Sequence, residues 1–581
     1  MKLHFCGAAE SVTGSCHLLR ISPADAPTGG ADVNILLDCG QFQGSASQDA
    51  QNYEPFPFDP AEVDFLILSH AHIDHCGRIP LLVKRGFSGR IFCTDATADL
   101  LPIMLRDSAH IHEMEAEWKS KKNERAGKPP VQPLYTMADA EAALPYVSPV
   151  LYGQLAEPVP GVKFVFNDAG HILGSAIIEL FVGEGASEKK LVFTGDLGAA
   201  GRPLLNDPTT IKRADYVIME TTYGDRVHEG NEESLKSLAD IIEKTKKRGG
   251  AVIIPSFAVG RTQELLYELD KYAQDTGRGL LEGLAVYVDS PMASAATEAF
   301  RENSQDFDEE AKRRMLAGDD PLDFPGLAFT KSTEESKALN LDPAPKIIIS
   351  ASGMCEAGRI RHHLKHHLWD PKASIVFVGY QAEGTLGRRL IEGAQTVKLF
   401  DEEIAVRAEI CNLQGFSAHA DRDGLLAWVR GFKAPPEALF LVHGEEASKR
   451  AFAATVEEAT GIRPFVVERM VEVDLGEGPP AAPAGTPPAG SKVDPEDAED
   501  LARRIGGVKD NLDDLLYAAR MRIAEEADRA GRAGDAEGAR AAEEKYAALK
   551  NVLVSLEKDT MQLARQLAEK DKDADKASVG E

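Results

Sequence analysis

The stretch LSHAHIDHCGRIP (68–80) sets three histidines and an aspartate, His70, His72, Asp74 and His75, within six positions. Imidazole nitrogens and carboxylate oxygens are the ligands that zinc and related divalent ions take. The run before them, VDFLILSH (63–70), has the composition of a buried strand, so the fold must deliver this loop at a strand end. His70 and His72, two apart in a turning segment, can point to one side. Asp74 and His75 follow as the chain enters a helix, so the two pairs suit two neighbouring ions. One short loop cannot complete both, and further ligands must arrive from other strand ends. Candidates are His171 in NDAGHILGSA, Asp196 in VFTGDLG, Asp38 in LLDCG and His443 in FLVHGEE.

The surrounding pattern supports such a scaffold. NILLDCG (34–40), GRIFCTD (89–95), KFVFNDAG (163–170) and KLVFTGDLG (190–198) each run from an apolar strand into a polar loop, while 96–145 reads as mostly helical. From 213 to 400, strands such as ADYVIME, GAVIIPS, LAVYVDS, KIIIS and SIVFVGY alternate with helices, the pattern of a parallel α/β layer. Strand-then-loop writing returns over 401–475. A Pro/Ala/Gly linker (476–495), an α-helical hairpin (496–575) and a disordered tail (576–581) are expected after it.

Composition narrows the function classes. A formal net charge of −28 argues against a broad nucleic-acid-binding face, though a metal-lined cleft is a local positive field within an acidic surface. Seven cysteines, none spaced as C-x-x-C, argue against a disulfide framework or a cysteine-rich zinc knuckle. No secretory leader or membrane-length apolar run is evident, so the expectation is a cytoplasmic protein without membrane contact.

The combination His70-x-His72-x-Asp74-His75, with Asp38 before it and His171 and Asp196 after it, resembles the metallo-β-lactamase-fold hydrolase signature. The resemblance implies one metal held by His70, His72 and His171, a second by Asp74, His75 and His443, and Asp196 bridging them. Asp38 would orient ligands from behind. VIMETTYGDR with Glu220, GFSAHADRDG with His419 and LVHGEE with His443 further resemble the β-CASP nucleases, as do IPSFAVGRTQELL, SASGMCEAGRI and VGYQAEGTLGRRL. The pattern is most like bacterial relatives of the nuclease subunit of the cleavage and polyadenylation specificity factor, and it covers residues 1 to about 470. The implied fold is α/β: a metallo-β-lactamase αββα sandwich (1–212 and 401–475), an inserted α/β β-CASP cap (213–400) and a C-terminal helical extension. A histidine at the position of His443 is typical of members acting on RNA.

The expected activity is therefore that of a ribonuclease with two Zn2+ per chain, Mn2+ being the alternative metal. It would hydrolyse single-stranded RNA, endonucleolytically or exonucleolytically, with a metal-bridging hydroxide as nucleophile. Asp74, Glu220 and His419 form the expected catalytic set, with His419 as general acid and Glu220 holding its charged form. Ser352 and Gly353, ahead of a helix expected to start near Glu356, are candidate phosphate contacts; Arg261 and Tyr223 are weaker substrate contacts. The histidines of RHHLKHHLW (His362, His363, His366, His367) read as a helix face rather than a metal site. Two competing functions are a small-molecule hydrolase of the same fold and a catalytically silent scaffold subunit of an RNA-processing complex. The C-terminal helices leave room for a homodimer or a protein partner.

Overall fold

In a computed structural model of the chain, the described residues are 1–476 apart from 29, 229, 278, 380, 382 and 383. The linker, hairpin and tail expected beyond 476 lie outside them. Strands buried on both faces read as continuous apolar runs, and those runs assemble here into two stacked sheets. The first, in spatial order, contains Glu472–Asp474, Lys2–Phe5, His17–Ile21, Val33–Leu37, Phe65–Ile67, Arg90–Cys93 and Val147–Pro149. The second contains Phe465–Val466, Ala438–Val442, Tyr216–Glu220, Lys189–Phe193, Ala176–Val182, Val162–Asp168 and Ala156–Val159.

Alternation along the strands builds three apolar layers. Leu19, Ile35, Leu37, Phe65 and Ile67 of the first sheet meet Phe164, Phe166, Ile178, Phe193, Ile218 and Phe440 of the second. The opposite-facing Leu18, Leu36, Leu66 and Ile91 lie under helices Ile79–Lys84 and Asp95–Arg125. On the far side, Ile177, Val192, Val217, Met219 and Leu441 are covered by Leu425 and Trp428 of helix Arg422–Val429 and by Phe452 and Val456 of helix Glu446–Thr460. The result is a helix–sheet–sheet–helix sandwich.

Between the second and third central strands of the second sheet the chain departs to form a cap. Tyr216–Glu220 and Ala438–Val442 are parallel neighbours, joined through a separate six-stranded sheet. That sheet runs Leu327–Phe329, Ala285–Val288, Lys346–Ser350, Ala251–Pro255, Ser374–Phe377 and Glu409–Asn412, every pair parallel, as crossover helices require. Two strands differ from the expected division at 213 and 400. Tyr216–Glu220 (ADYVIME) pairs within the sandwich, and Glu409–Asn412 pairs within the cap. Strand partners are remote in sequence, so the local pattern could not allot these two. Among the described residues no helix is long and apolar enough to cross a membrane.

Candidate metal centre and acid–base pair

The candidate ligands converge because each follows the C-terminal end of a sandwich strand. Asp38 comes after Leu37, His70 after Ile67, His171 after Asp168, Asp196 after Phe193 and His443 after Val442, while Glu220 closes its strand. The loops pack tightly: a Cβ added to Gly40 would lie 1.5 Å from the carbonyl oxygen of Asp74, so only glycine fits beside the metal-ligand loop. Asp38 (φ 57°) and His443 (φ 50°) both occupy the left-handed region, a cost that surrounding contacts sustain at these two site positions.

Three groups of ligand-type atoms result, the third of them, Asp196, Glu220 and His443, sharing Asp196 with the first and His443 with the second. In the first, His70, His72, His171 and Asp196 each offer an atom within 4.8 Å of all the others. His72 Nδ1 lies 3.1 Å from His70 Nε2 and 3.2 Å from His171 Nε2. Asp196 Oδ2 lies 3.6 Å and 3.5 Å from the same two Nε2 atoms. Metal–ligand bonds of about 2.0–2.1 Å arranged tetrahedrally give ligand–ligand edges of about 3.3 Å, the spacing found here. Burial lowers the basicity of all three imidazoles, which keeps them in the neutral form that donates a lone pair.

In the second group, His75 Nε2 and His443 Nε2 are 3.1 Å apart, and Asp74 Oδ2 is 3.5 Å from His443 Nε2. Asp196 turns its other oxygen, Oδ1, to this side, 3.3 Å from His75 Nε2. Burial opposes ionisation of Asp196, yet His443 and His75 hold its carboxyl well below the usual range. Oδ1 is buried and has no hydrogen-bond donor among the described residues, an arrangement that suits a cation.

Behind the ligands, Asp38 is wholly buried and accepts from the Ser15 hydroxyl at 2.9 Å and from the Ser69 amide and hydroxyl at 2.8 and 2.9 Å. Its Oδ2 is 2.7 Å from His75 Nδ1, which fixes the proton there and leaves Nε2 for the cluster. Ser69 and Thr222, whose hydroxyl is 3.2 Å from His443 Nδ1, play supporting parts that the sequence pattern did not single out. Small hydroxyl residues next to ligands were the only signal.

His419 sits at the edge of this cleft. Its Nδ1 is 3.1 Å from Glu220 Oε1 and 4.0 Å from Asp196 Oδ2. Burial would lower the imidazole, but Glu220, by charge and hydrogen bond, and then Asp196 and Asp74 raise it to about 9. Glu220 is itself buried, and its carboxylate accepts from the Leu197 amide at 2.7 Å and the Thr222 amide at 3.1 Å. The Tyr223 ring lies edge-on to His419 with centroids 6.0 Å apart.

Three of the expected substrate contacts have partners within the protein. The Arg261 guanidinium is buried and donates from Nη1 to Glu264 at 2.5 Å. Helix Ile360–His367 starts four residues later than expected, and Ser352 and Gly353 belong to a turn in which the Ser352 amide and hydroxyl bond the Ala357 carbonyl. They therefore do not stand at a helix N-terminus. Sequence showed the glycine-rich turn and not its internal closure.

A metallo-β-lactamase sandwich with an inserted cap and a histidine–aspartate cleft defines a metal-binding hydrolase of the β-CASP type, and the chain belongs to that family. Residues 28–256 match the metallo-beta-lactamase superfamily, 262–390 the Beta-Casp domain and 403–467 the Zn-dependent metallo-hydrolase RNA specificity domain. Ribonuclease TTHA0252 of Thermus thermophilus is 40% identical over 440 residues, 76% of this chain and 92% of its own. Transcription termination factor FttA of Methanocaldococcus jannaschii is 32% identical over 466 residues, 78% of this chain and 69% of that protein. An RNase J-like protein of the same organism is 32% identical over 459 residues, 78% of this chain and 97% of its own.

Proposed function

We propose that this protein is a di-zinc ribonuclease that hydrolyses phosphodiester bonds of single-stranded RNA. His70, His72 and His171 would hold one ion, Asp74, His75 and His443 the other, and Asp196, with one oxygen toward each group, would bridge them. When bound, the two ions supply an activated water and neutralise charge on the scissile phosphate. The chain's own residues do the rest. Asp38 holds His75 in one tautomer, and Glu220 holds His419 protonated with Nδ1 engaged. His419 Nε2 then gives its proton to the leaving oxygen as the P–O bond breaks.

The observation that carries this reading is the Glu220–His419 pair set beside Asp196, an acid with a maintained proton next to a cluster of metal-ligand atoms. RNA as substrate is supported by His443 at the third motif and by the relatives named as ribonuclease and RNase J-like. The test is cleavage of a 5′-labelled single-stranded RNA and its DNA counterpart by wild type and His419→Ala at equal metal content. RNA cut by wild type and about 10²–10⁴-fold more slowly by the variant is the expected result. Failure of the metal-loaded wild type to cut either strand would end the proposal, and cutting of DNA alone would end the RNA assignment.

A further inference from the structure

The loop that carries His419 is held from two sides. On the sandwich side, the Ala199 amide donates to the Ala418 carbonyl at 3.0 Å and the Ala420 amide to the Leu197 carbonyl at 2.7 Å. On the cap side, the Gly415 amide donates to the Ser234 hydroxyl at 3.2 Å, and Ser234 lies on helix Asn231–Lys247. Between these anchors the Ser417 carbonyl accepts from Arg202 Nη2 at 2.5 Å. Arg202 follows Asp196 in sequence, but its guanidinium is gripped by the cap. Nη1 donates to Asn231 Oδ1 at 2.6 Å and lies 3.3 Å from Glu264 Oε1.

The grip is itself built. Glu264 takes a second guanidinium, that of Arg261, on its other oxygen, and Asn231 Nδ2 donates to Glu268 Oε1 at 2.6 Å. Arg261, Glu264 and Glu268 fall on one face of helix Arg261–Thr276, spaced three and four apart. The side chains of Arg202 and Glu264 are only 10% and 11% exposed. At such burial the guanidinium has few alternative partners, and losing one leaves a buried charge less compensated. The network thus holds geometry, and the peptide it holds is two residues from the imidazole.

The geometry points to Arg202 as a positioning residue for His419, one that transmits the placement of the cap, through Glu264 and Asn231, to the loop that carries the acid. This rests on the reading of His419 as general acid. Misplacing that loop by a fraction of an ångström would lengthen the proton transfer without touching the metal ligands. Arg202 therefore bears on the step in which the leaving oxygen takes its proton, and on little else.

The test compares two substrates of different leaving group at equal metal content. RNA departs as an alkoxide that needs a proton, whereas bis(4-nitrophenyl) phosphate releases a phenolate that does not. For Arg202→Met the expected result is an RNA kcat lower by about tenfold or more, with KM for RNA and turnover of the nitrophenyl ester within about twofold of wild type. Asn231→Ala, which removes one Arg202 acceptor and keeps its ion pair, is expected to show the same selective loss at smaller size and carries the test if the first variant does not fold. Equal losses on both substrates, or no loss on either, would overturn the inference. His419→Ala runs alongside: if it discriminates between the substrates and the Arg202 and Asn231 variants do not, only the positioning role fails. If His419→Ala does not discriminate, the acid assignment fails and the positioning role with it.

Discussion

Two buried clusters of histidine and aspartate among the described residues differ in how much of their hydrogen bonding is already met. In the cap, Asp289 accepts from the Thr330 hydroxyl and from Arg359 Nη1 on one oxygen, and from the Ser336 hydroxyl and His363 Nε2, each at 2.5 Å, on the other. His363 Nδ1 lies 2.8 Å from Asn340 Oδ1. Every polar atom of the pair has a protein partner, and the cluster offers a metal only two ligand-type side chains. In the cleft, by contrast, imidazole nitrogens face one another at 3.1–3.2 Å, and Asp196 Oδ1 and His171 Nδ1 are buried without a hydrogen-bond partner among the described residues. The same residue types make a strut where they satisfy each other and a ligand site where they do not.

Substitutions can break this contrast, and the largest effect is expected in the cleft. Asp196→Ala removes the one side chain that turns an oxygen to each group. Metal content, read by elemental analysis, is expected to fall with RNA cleavage, the latter by about 10³-fold or more. In the cap, Asp289→Ala strands Arg359 and His363 without their acceptor and is expected to cost about 3–5 kcal/mol in denaturant unfolding. Metal content should stay at the wild-type level.

A smaller, sharper effect is expected at Asp38, which binds through His75 rather than by itself. Asp38→Asn keeps the shape but weakens the hold on the His75 Nδ1 proton, and metal affinity by competition with a chelator is expected to drop about 10–100-fold. Smallest is a shift in pH dependence. An acid must be protonated to work, and Glu220 is the principal group that raises His419 toward 9. Glu220→Gln removes that charge, so the folded pKa falls and the protonated form is lost at lower pH. The basic limb of the kcat–pH profile should move to lower pH, while the acidic limb is set by other groups.

Much of the contrast was legible in sequence, and the missing parts were missing for one reason. Dense ligand spacing at His70–His75 and apolar runs ending in His171, Asp196 and His443 announce a strand-end site, because strand burial and loop polarity are local properties. RHHLKHHLW likewise reads as a structural helix face, because no carboxylate cluster adjoins it in sequence. Its decisive partner, Asp289, lies 74 residues before His363 and meets it only through the cap sheet. Nothing in FAVGRTQELL shows that Glu264 takes the Arg261 guanidinium inside a buried helix face. Arg202 carried no signal at all, being one basic residue in AAGRPLL whose partners come from 231, 264 and 417. Tyr216–Glu220 was drawn to the cap by its neighbours in sequence, while its strand partners are Leu191–Phe193 and Ala438–Val442. Which side chains are satisfied is a tertiary property, and it is the one that separates the two clusters.

The most direct measurement is anomalous scattering at the zinc absorption edge from crystals of the zinc-loaded protein. Two peaks are expected in the cleft, one among His70, His72, His171 and Asp196 and one among Asp74, His75, His443 and Asp196, with none beside Asp289 and His363. A peak at the Asp289–His363 pair, or a cleft without density at saturating zinc, would contradict the account.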